Sequence, residues 1–280
     1  MFIFYTLCIH SPYFEDYLEG LLNKLKLFGI CYKNVYYDAN DVIDRSEQDV
    51  HIFFQTLHCK LNNSNPKYNI YILNTEQLKI RNQHILNYDM KINYIDWTPL
   101  NIPYYSLRIN SSVSLLSYQV NYNEIITHPK TMDVCMFTQR WSEYRSEIFD
   151  KCREVHPTIT GISGFGKIRD DLLFKHKILI NASLDPDCSV LEQFRVNRCI
   201  YNRIIIISDK KDDYITNFIL NKYIIYVENY TDIPSKMLDV LNNYQEFYDN
   251  IYGNFNNELP VIDEYFTKQI ECFISKCEEG

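Results

Sequence analysis

The sequence predicts an α/β protein made of two Rossmann-like halves in tandem, and three observations carry that reading. Apolar runs of strand length recur along the whole chain and alternate with segments of helical spacing, the pattern of βαβ units. Residues 175–209 contain one complete unit: the run Ile178-Leu179-Ile180, a polar turn over 181–189, a helical segment over 190–201 and the run 204–207. A polar stretch at 121–131 with His128-Pro129 precedes a fresh apolar strand, which divides the chain into domains 1–130 and 131–280.

The elements follow in order. Residues 1–9 read as a buried strand, and 13–28 as a helix with Phe14, Tyr17, Leu18, Leu21, Leu22 and Leu25 on one face and Gly29 as its C-cap. Further strands are expected within 31–37, 49–57, 68–73, 91–95 and 113–120. In the second half, a strand at 134–137 leads into a helix over 142–155, with Ser142 as N-cap and Tyr144, Ile148 and Phe149 on one side. A strand at 158–162, a turn at 164–166 and a short helix at 168–174 precede the 175–209 unit. After it come a short segment at 215–220, a strand at 223–227 and two terminal helices, 233–252 and 262–277, the last expected to pack back on the N-terminal domain.

A chain of 280 residues with 46% hydrophobic and 23% charged residues can bury the core of each half. Its net charge of −8 argues against nucleic acid as a partner. The nine cysteines form no C-x-x-C pair and lie mostly in apolar runs, so buried thiols in a reducing compartment, the cytoplasm, are expected. The N-terminal run is too short to span a membrane and lacks the basic residues of an export signal.

Several residues stand where ligands of open α/β folds bind, at the carboxyl ends of strands. Glu192 and Arg195 lie three apart near the start of the 190–201 helix, with Val196 and Cys199 continuing an inward stripe. They read either as a mutual ion pair or as a carboxylate accepting two ribose hydroxyls beside an arginine that faces phosphate. Arg140 and Arg145 follow the first strand of the second half, where a guanidinium can bind a diphosphate or simply be exposed. His10, past the first strand, and Glu76, past the fourth strand of the first half, are candidate general bases, each with a solvent-exposed or capping role as the alternative. No histidine spacing suggests a metal site. Residues 161–167 match G-x-x-x-x-G-K, yet position 168 is Ile where a P-loop needs Ser or Thr for Mg²⁺, and the motif follows the second strand of its half. Gly164, Gly166 and Lys167 are therefore read as a tight turn whose backbone approaches a ligand.

With these stretches in place, the chain resembles GT-B-fold glycosyltransferases, in particular small ones of giant DNA viruses. The resemblance is carried by residues 72–78 (ILNTEQL), 95–99 (IDWTP), 133–145 and 166–208. It implies two Rossmann-like domains facing across a cleft, with a nucleotide diphosphate sugar as co-substrate, no metal cofactor, and a glycan or other hydroxyl compound as acceptor. It also implies that Glu192 holds the ribose, Arg145 or Arg140 faces the diphosphate, the backbone at 164–167 meets the base, and the loop with Asp185, Asp187 and Ser189 touches the donor sugar. The chain departs from the family in having Leu184 where many retaining members carry a first glutamate, the nearest acid being Asp185, and in ending a strand with Ser208-Asp209 where Ser-Glu is usual. Inverting or retaining chemistry is thus left open, as is a homodimer. The alternatives are a glycosyltransferase-like protein without catalysis and a P-loop-type nucleotide enzyme; a viral member would work in the host cytoplasm or the virion.

Overall fold

The computed structural model describes residues 1–8, 11–38, 41–43, 48–55, 60–61, 69–76, 78, 92–106, 113–126, 128–188, 190–211 and 218–279. The chain forms two compact units, Met1–Gln119 with Glu264–Gly280, and Val120–Asp263. The division falls at Val120, earlier than the expected 131. The reason is local: the Asn202 amide donates to Glu124 O at 2.9 Å and accepts from Ile126 N at 2.8 Å. Arg198 also donates to the carboxylates of Glu124 and Asp170 at 2.9 and 2.8 Å, so residues 120–126 are tied into the second unit.

The first unit contains β1 (Phe2–Leu7), α1 (Ser11–Leu27), β2 (Tyr32–Tyr37), β3 (Val42–Ile43), β4 (Val50–Phe54), β5 (Lys60–Leu61), β6 (Asn69–Asn74), β7 (Asn93–Asp96), α2 (Ile102–Ser106) and β8 (Val113–Leu115). Six strands make one parallel sheet in the order β2-β1-β4-β6-β7-β8, and β3 pairs with β5 apart from it. β1 and β4 are buried throughout, as expected of central strands in a parallel sheet covered on both faces. Helix α1 buries the six apolar residues of its predicted face. It ends at Gly29 (φ +68°), where Ile30 N donates to Leu25 O, a left-handed C-cap.

The second unit contains β9 (Met132–Phe137), α3 (Glu143–Val155), β10 (Thr160–Ile162), α4 (Gly166–Leu173), β11 (His176–Asn181), α5 (Gln193–Tyr201), β12 (Ile205–Asp209), β13 (Ile224–Val227), α6 (Ile233–Asn242) and α7 (Tyr244–Tyr252). Its five strands are parallel in the order β10-β9-β11-β12-β13. Ser142 caps α3 as expected, its Oγ accepting from Arg145 N at 3.2 Å.

Three expectations need correction. The single helix over 233–252 is broken at Asn243, whose side chain takes Asp239 O and so competes with the helix backbone. The last helix, α8 (Phe255–Glu279), starts before Pro260 instead of after it, anchored by buried Phe255 against Tyr223 and Tyr252 and by the Lys222–Glu258 pair at 2.8 Å. Within the first unit, Phe273 of α8 packs edge-on against Phe2 and Tyr71, and Lys276 donates to Val113 O. The cysteines are not mostly buried: Cys135, Cys152 and Cys199 are, while Cys8, Cys31 and Cys272 are exposed at a strand end, in a turn and on the outer side of α8. All eight described cysteines are free thiols.

Candidate functional site

In the second sheet, β9 is flanked by β10 on one side and β11 on the other, so the chain reverses its order of strand addition between β9 and β11. At such a switch point the loops beyond the strand ends part and leave room for a ligand. The candidate residues of this half cluster there. Arg145, in the first turn of α3, is 5% exposed. Its Nε donates to Ala182 O and Ser183 O at 3.0 and 3.2 Å, and its Nη1 to Arg140 O at 2.8 Å. Arg145 thereby joins the loop after β9 to the loop after β11, and its Nη2 makes no hydrogen bond to a described residue. Burial, then the nearby Arg195 and Arg140 against the opposing pull of Glu192, push its guanidinium down to about 10. A site that strains to hold this much positive charge favours an anion.

Arg195 lies over the Phe137 ring at 4.8 Å, with Nη1 3.4 Å from Asn181 Oδ1 and Nη2 3.8 Å from Glu192 Oε2. The ion pair is present, but it is long and leaves the Glu192 carboxylate without a hydrogen bond to any described residue. Glu192 is not part of the inward stripe formed by Val196 and Cys199. It stands at the N-cap of α5 with its side chain 42% exposed and does not cap the helix, so its oxygens face outward at the strand-end edge. Arg140 is exposed, its carbonyl accepting from Arg145 Nη1.

Gly164 (φ +86°), in the loop between β10 and α4, and Gly166 (φ +66°), the first residue of α4, require glycine through their backbone. Gly164 N donates to Gln139 Oε1 at 2.7 Å, which ties this loop to the one after β9, and Lys167 is exposed in the first turn of α4. Gly161 and Ile162 lie inside β10, so only three residues separate strand from helix and no phosphate-wrapping loop forms. Gly161 is explained by packing, since a Cβ there would meet Thr138 Cγ2 at 3.0 Å.

The loop after β11 is held at both ends. Arg145 takes its start, and Lys211 Nζ donates to Cys188 O at 3.2 Å and to Asp209 Oδ2 at 2.6 Å. Asp185 closes an Asx turn on Asp187 N, and Asp187 is exposed. Tyr144 OH also donates to Asp209 Oδ2. Sequence reasoning names Asp209 only as the end of its strand and Tyr144 only as part of a helix face; it does not name Lys211 at all, although that residue is 3% exposed.

In the first unit, Glu76 lies just past β6 at the carboxyl end of the sheet. Its N–H donates to Asn74 Oδ1, and its carbonyl accepts from Asn74 Nδ2 and Asn101 Nδ2. Both amides also donate to buried Asp96, which accepts from Tyr105 OH at 2.6 Å and Thr98 N at 3.0 Å as well. Burial raises the Asp96 carboxyl to about 6 against the pull of these hydrogen bonds. His10 and Ser189 lie outside the described residues. No group of three or more potential metal ligands occurs among the described residues.

No family model matches the chain. Among solved structures, HepE of Anabaena in complex with UDP and glucose matches over 98% of this chain and 99% of that chain, with a TM-score of 0.62 at 11% identity. Sucrose-phosphate synthase of Thermosynechococcus elongatus matches over 100% of both at TM-score 0.58 and 8% identity. TarM matches over 82% of this chain and 55% of its own length at TM-score 0.53 and 12% identity. Two parallel sheets with helices, similar to these proteins, define a GT-B glycosyltransferase fold. The chain belongs to one family with the uncharacterized protein L140 of Acanthamoeba polyphaga mimivirus, to which it is 31% identical over 246 residues, 82% of this chain and 77% of that protein. The mimivirus protein R358 is 26% identical over 264 residues, 88% of this chain and 89% of its own length.

Proposed function

We propose that the protein transfers a sugar from a nucleoside diphosphate sugar to a hydroxyl acceptor. The observation that carries this is the meeting, at the switch point between β9 and β11, of an outward-facing carboxylate with a cluster of arginines. In this reading Glu192 accepts the ribose hydroxyls, Arg195 and the Nη2 of Arg145 face the diphosphate with Arg140 at the rim, the backbone of Gly164, Gly166 and Lys167 meets the base, and the loop with Asp185, Asp187 and Ser189 meets the sugar. HepE, whose structures hold UDP-glucose or UDP and glucose, supports the choice of ligand class. Arginine charge takes the place of a metal in balancing the leaving diphosphate. Transfer forms a bond between the acceptor oxygen and the anomeric carbon, breaks the bond to the diphosphate, and delivers the acceptor proton to a base. Glu76 is the base we favour, with His10 as the other candidate. No helix among the described residues is long and apolar enough to cross a membrane; the host cytoplasm or the virion is the proposed place of action.

Isothermal titration of the protein in EDTA with UDP, GDP and dTDP tests this reading. Heat from one nucleoside diphosphate supports it. Binding of ATP that depends on Mg²⁺, with no response to diphosphates, would replace it by a P-loop-type enzyme, and silence with all of them by a protein that kept only the fold.

A further inference from the structure

We propose that Gln55 is a positioning residue that holds the Glu76 carboxylate in place to receive an acceptor hydroxyl, and that its left-handed backbone exists for that contact. The inference rests on the reading of Glu76 as the base.

Gln55 follows β4 and has φ +62°. Among the described residues only Arg203 shares this departure without being glycine, and Arg203 sits in the turn closing α5, where Ile204 N reaches back to Cys199 O and a left-handed residue is ordinary. Gln55 ends a strand, so no helix terminus accounts for its backbone. Its N–H continues the ladder to Leu73 O at 2.8 Å, and its side chain crosses to the residues just past β6. There Nε2 donates to Thr75 Oγ1 at 2.7 Å and to Glu76 Oε1 at 2.9 Å. An ionised carboxylate only accepts, so the amide must present its nitrogen to Glu76, and both amide hydrogens are used.

The rest of Glu76 is already fixed. Its N–H and carbonyl are bound by Asn74 and Asn101, which are anchored in turn on Asp96, and all three are at most 1% exposed. Those bonds hold the Glu76 backbone, and Gln55 reaches its side chain at Oε1. Glycine and asparagine tolerate a left-handed backbone best. Glycine has no side chain to reach Glu76, and asparagine is one methylene short. A residue needed there only for the turn would be one of those two; glutamine makes sense if the contact matters more than the strain, which is characteristic of functional sites.

The test uses the full chain carrying Gln55→Gly or Gln55→Asn and compares it with wild type in thermal unfolding, UDP affinity, hydrolysis of UDP-glucose with water as acceptor, and a crystal structure. Both variants are expected to melt at or above the wild-type temperature and to bind UDP within about twofold of it. Turnover is expected to fall about tenfold or more at unchanged KM, the scale of a misplaced base. In the crystal the Glu76 carboxylate is expected to leave its wild-type position while the 74–76 backbone stays. A lower melting temperature in both variants, unchanged turnover, or an unmoved carboxylate overturns the proposal. If wild type itself binds none of UDP, GDP and dTDP, the transferase reading fails, while the melting temperatures and the carboxylate position still decide the role of Gln55.

Discussion

Replacing Glu192 by alanine separates the proposed ribose contact from the fold. Among the described residues the carboxylate's ion-pair partner is Arg195, at 3.8 Å and three residues away, and its side chain is 42% exposed. Such a pair is worth ~0.2–0.5 kcal/mol at best, less after solvent screening. The side chain caps nothing in α5. Glu192→Ala is therefore expected to lower the melting temperature by only about 1 °C. The bound ribose is a different matter, since hydrogen bonds to a charged group contribute ~1.5–3 kcal/mol each in closed surroundings. With the carboxylate partly exposed, a loss of ~1–3 kcal/mol in UDP affinity follows, roughly 5- to 150-fold. Titration of wild type and variant with UDP and with 2′-deoxy-UDP completes a double-mutant cycle. Wild type should lose affinity for the deoxy nucleotide, and the variant should bind both alike. Equal discrimination in both proteins, or an unchanged affinity with a clear drop in stability, would refute the ribose assignment and leave the ion pair as the role of Glu192.

Other expectations follow from the same geometry. Arg195→Leu removes the guanidinium over Phe137 and should weaken UDP about tenfold while leaving uridine affinity unchanged; an equal loss for uridine in calorimetry would contradict a diphosphate role. Lys211→Met leaves the Asp209 carboxylate buried without its cation and should cost ~3–5 kcal/mol in urea unfolding, with part regained when Asp209→Asn is added; a loss under ~1 kcal/mol would show that the pair does not hold the fold. The Asp96 carboxyl, raised by burial from 3.8 to about 6, binds its proton more tightly in the folded state. Its contribution to stability is therefore fully present below about pH 4 and is lost as pH rises through about 6, on the order of 3 kcal/mol. Unfolding free energies from pH 4 to 7.5 should show that decline in wild type and not in Asp96→Ala, and parallel curves would remove Asp96 as its source.

Most of the fold was legible because its signals are local. Apolar runs marked the central strands, Ser142 and Gly29 announced a cap and a stop, and Phe14 to Leu25 showed their helical face. What escaped depends on tertiary packing. Val42–Ile43 and Lys60–Leu61 are too short to carry a period, and the last helix, expected from 262, begins at Phe255 because the aromatic cluster around that residue anchors its first turn. Of the candidate site, the residues after β9 and in α5 could be named from the strand-helix order alone. Lys211 could not, because its burial beside Asp209 is set by β12 and the loop at Cys188. Nor could Gln55, since glutamine carries no propensity for a left-handed backbone and its partner lies on another strand.

The central claim is that the loops beyond β9, β10 and β11 form a site for a nucleoside diphosphate, and a co-crystal structure with the nucleotide that gives heat in the titration tests it most directly. The ribose hydroxyls are expected on Glu192, the diphosphate beside Arg195 and Arg145 Nη2, and the base at Gly164 and Gly166. A nucleotide bound elsewhere on the chain, with Glu192 still facing solvent, would contradict it.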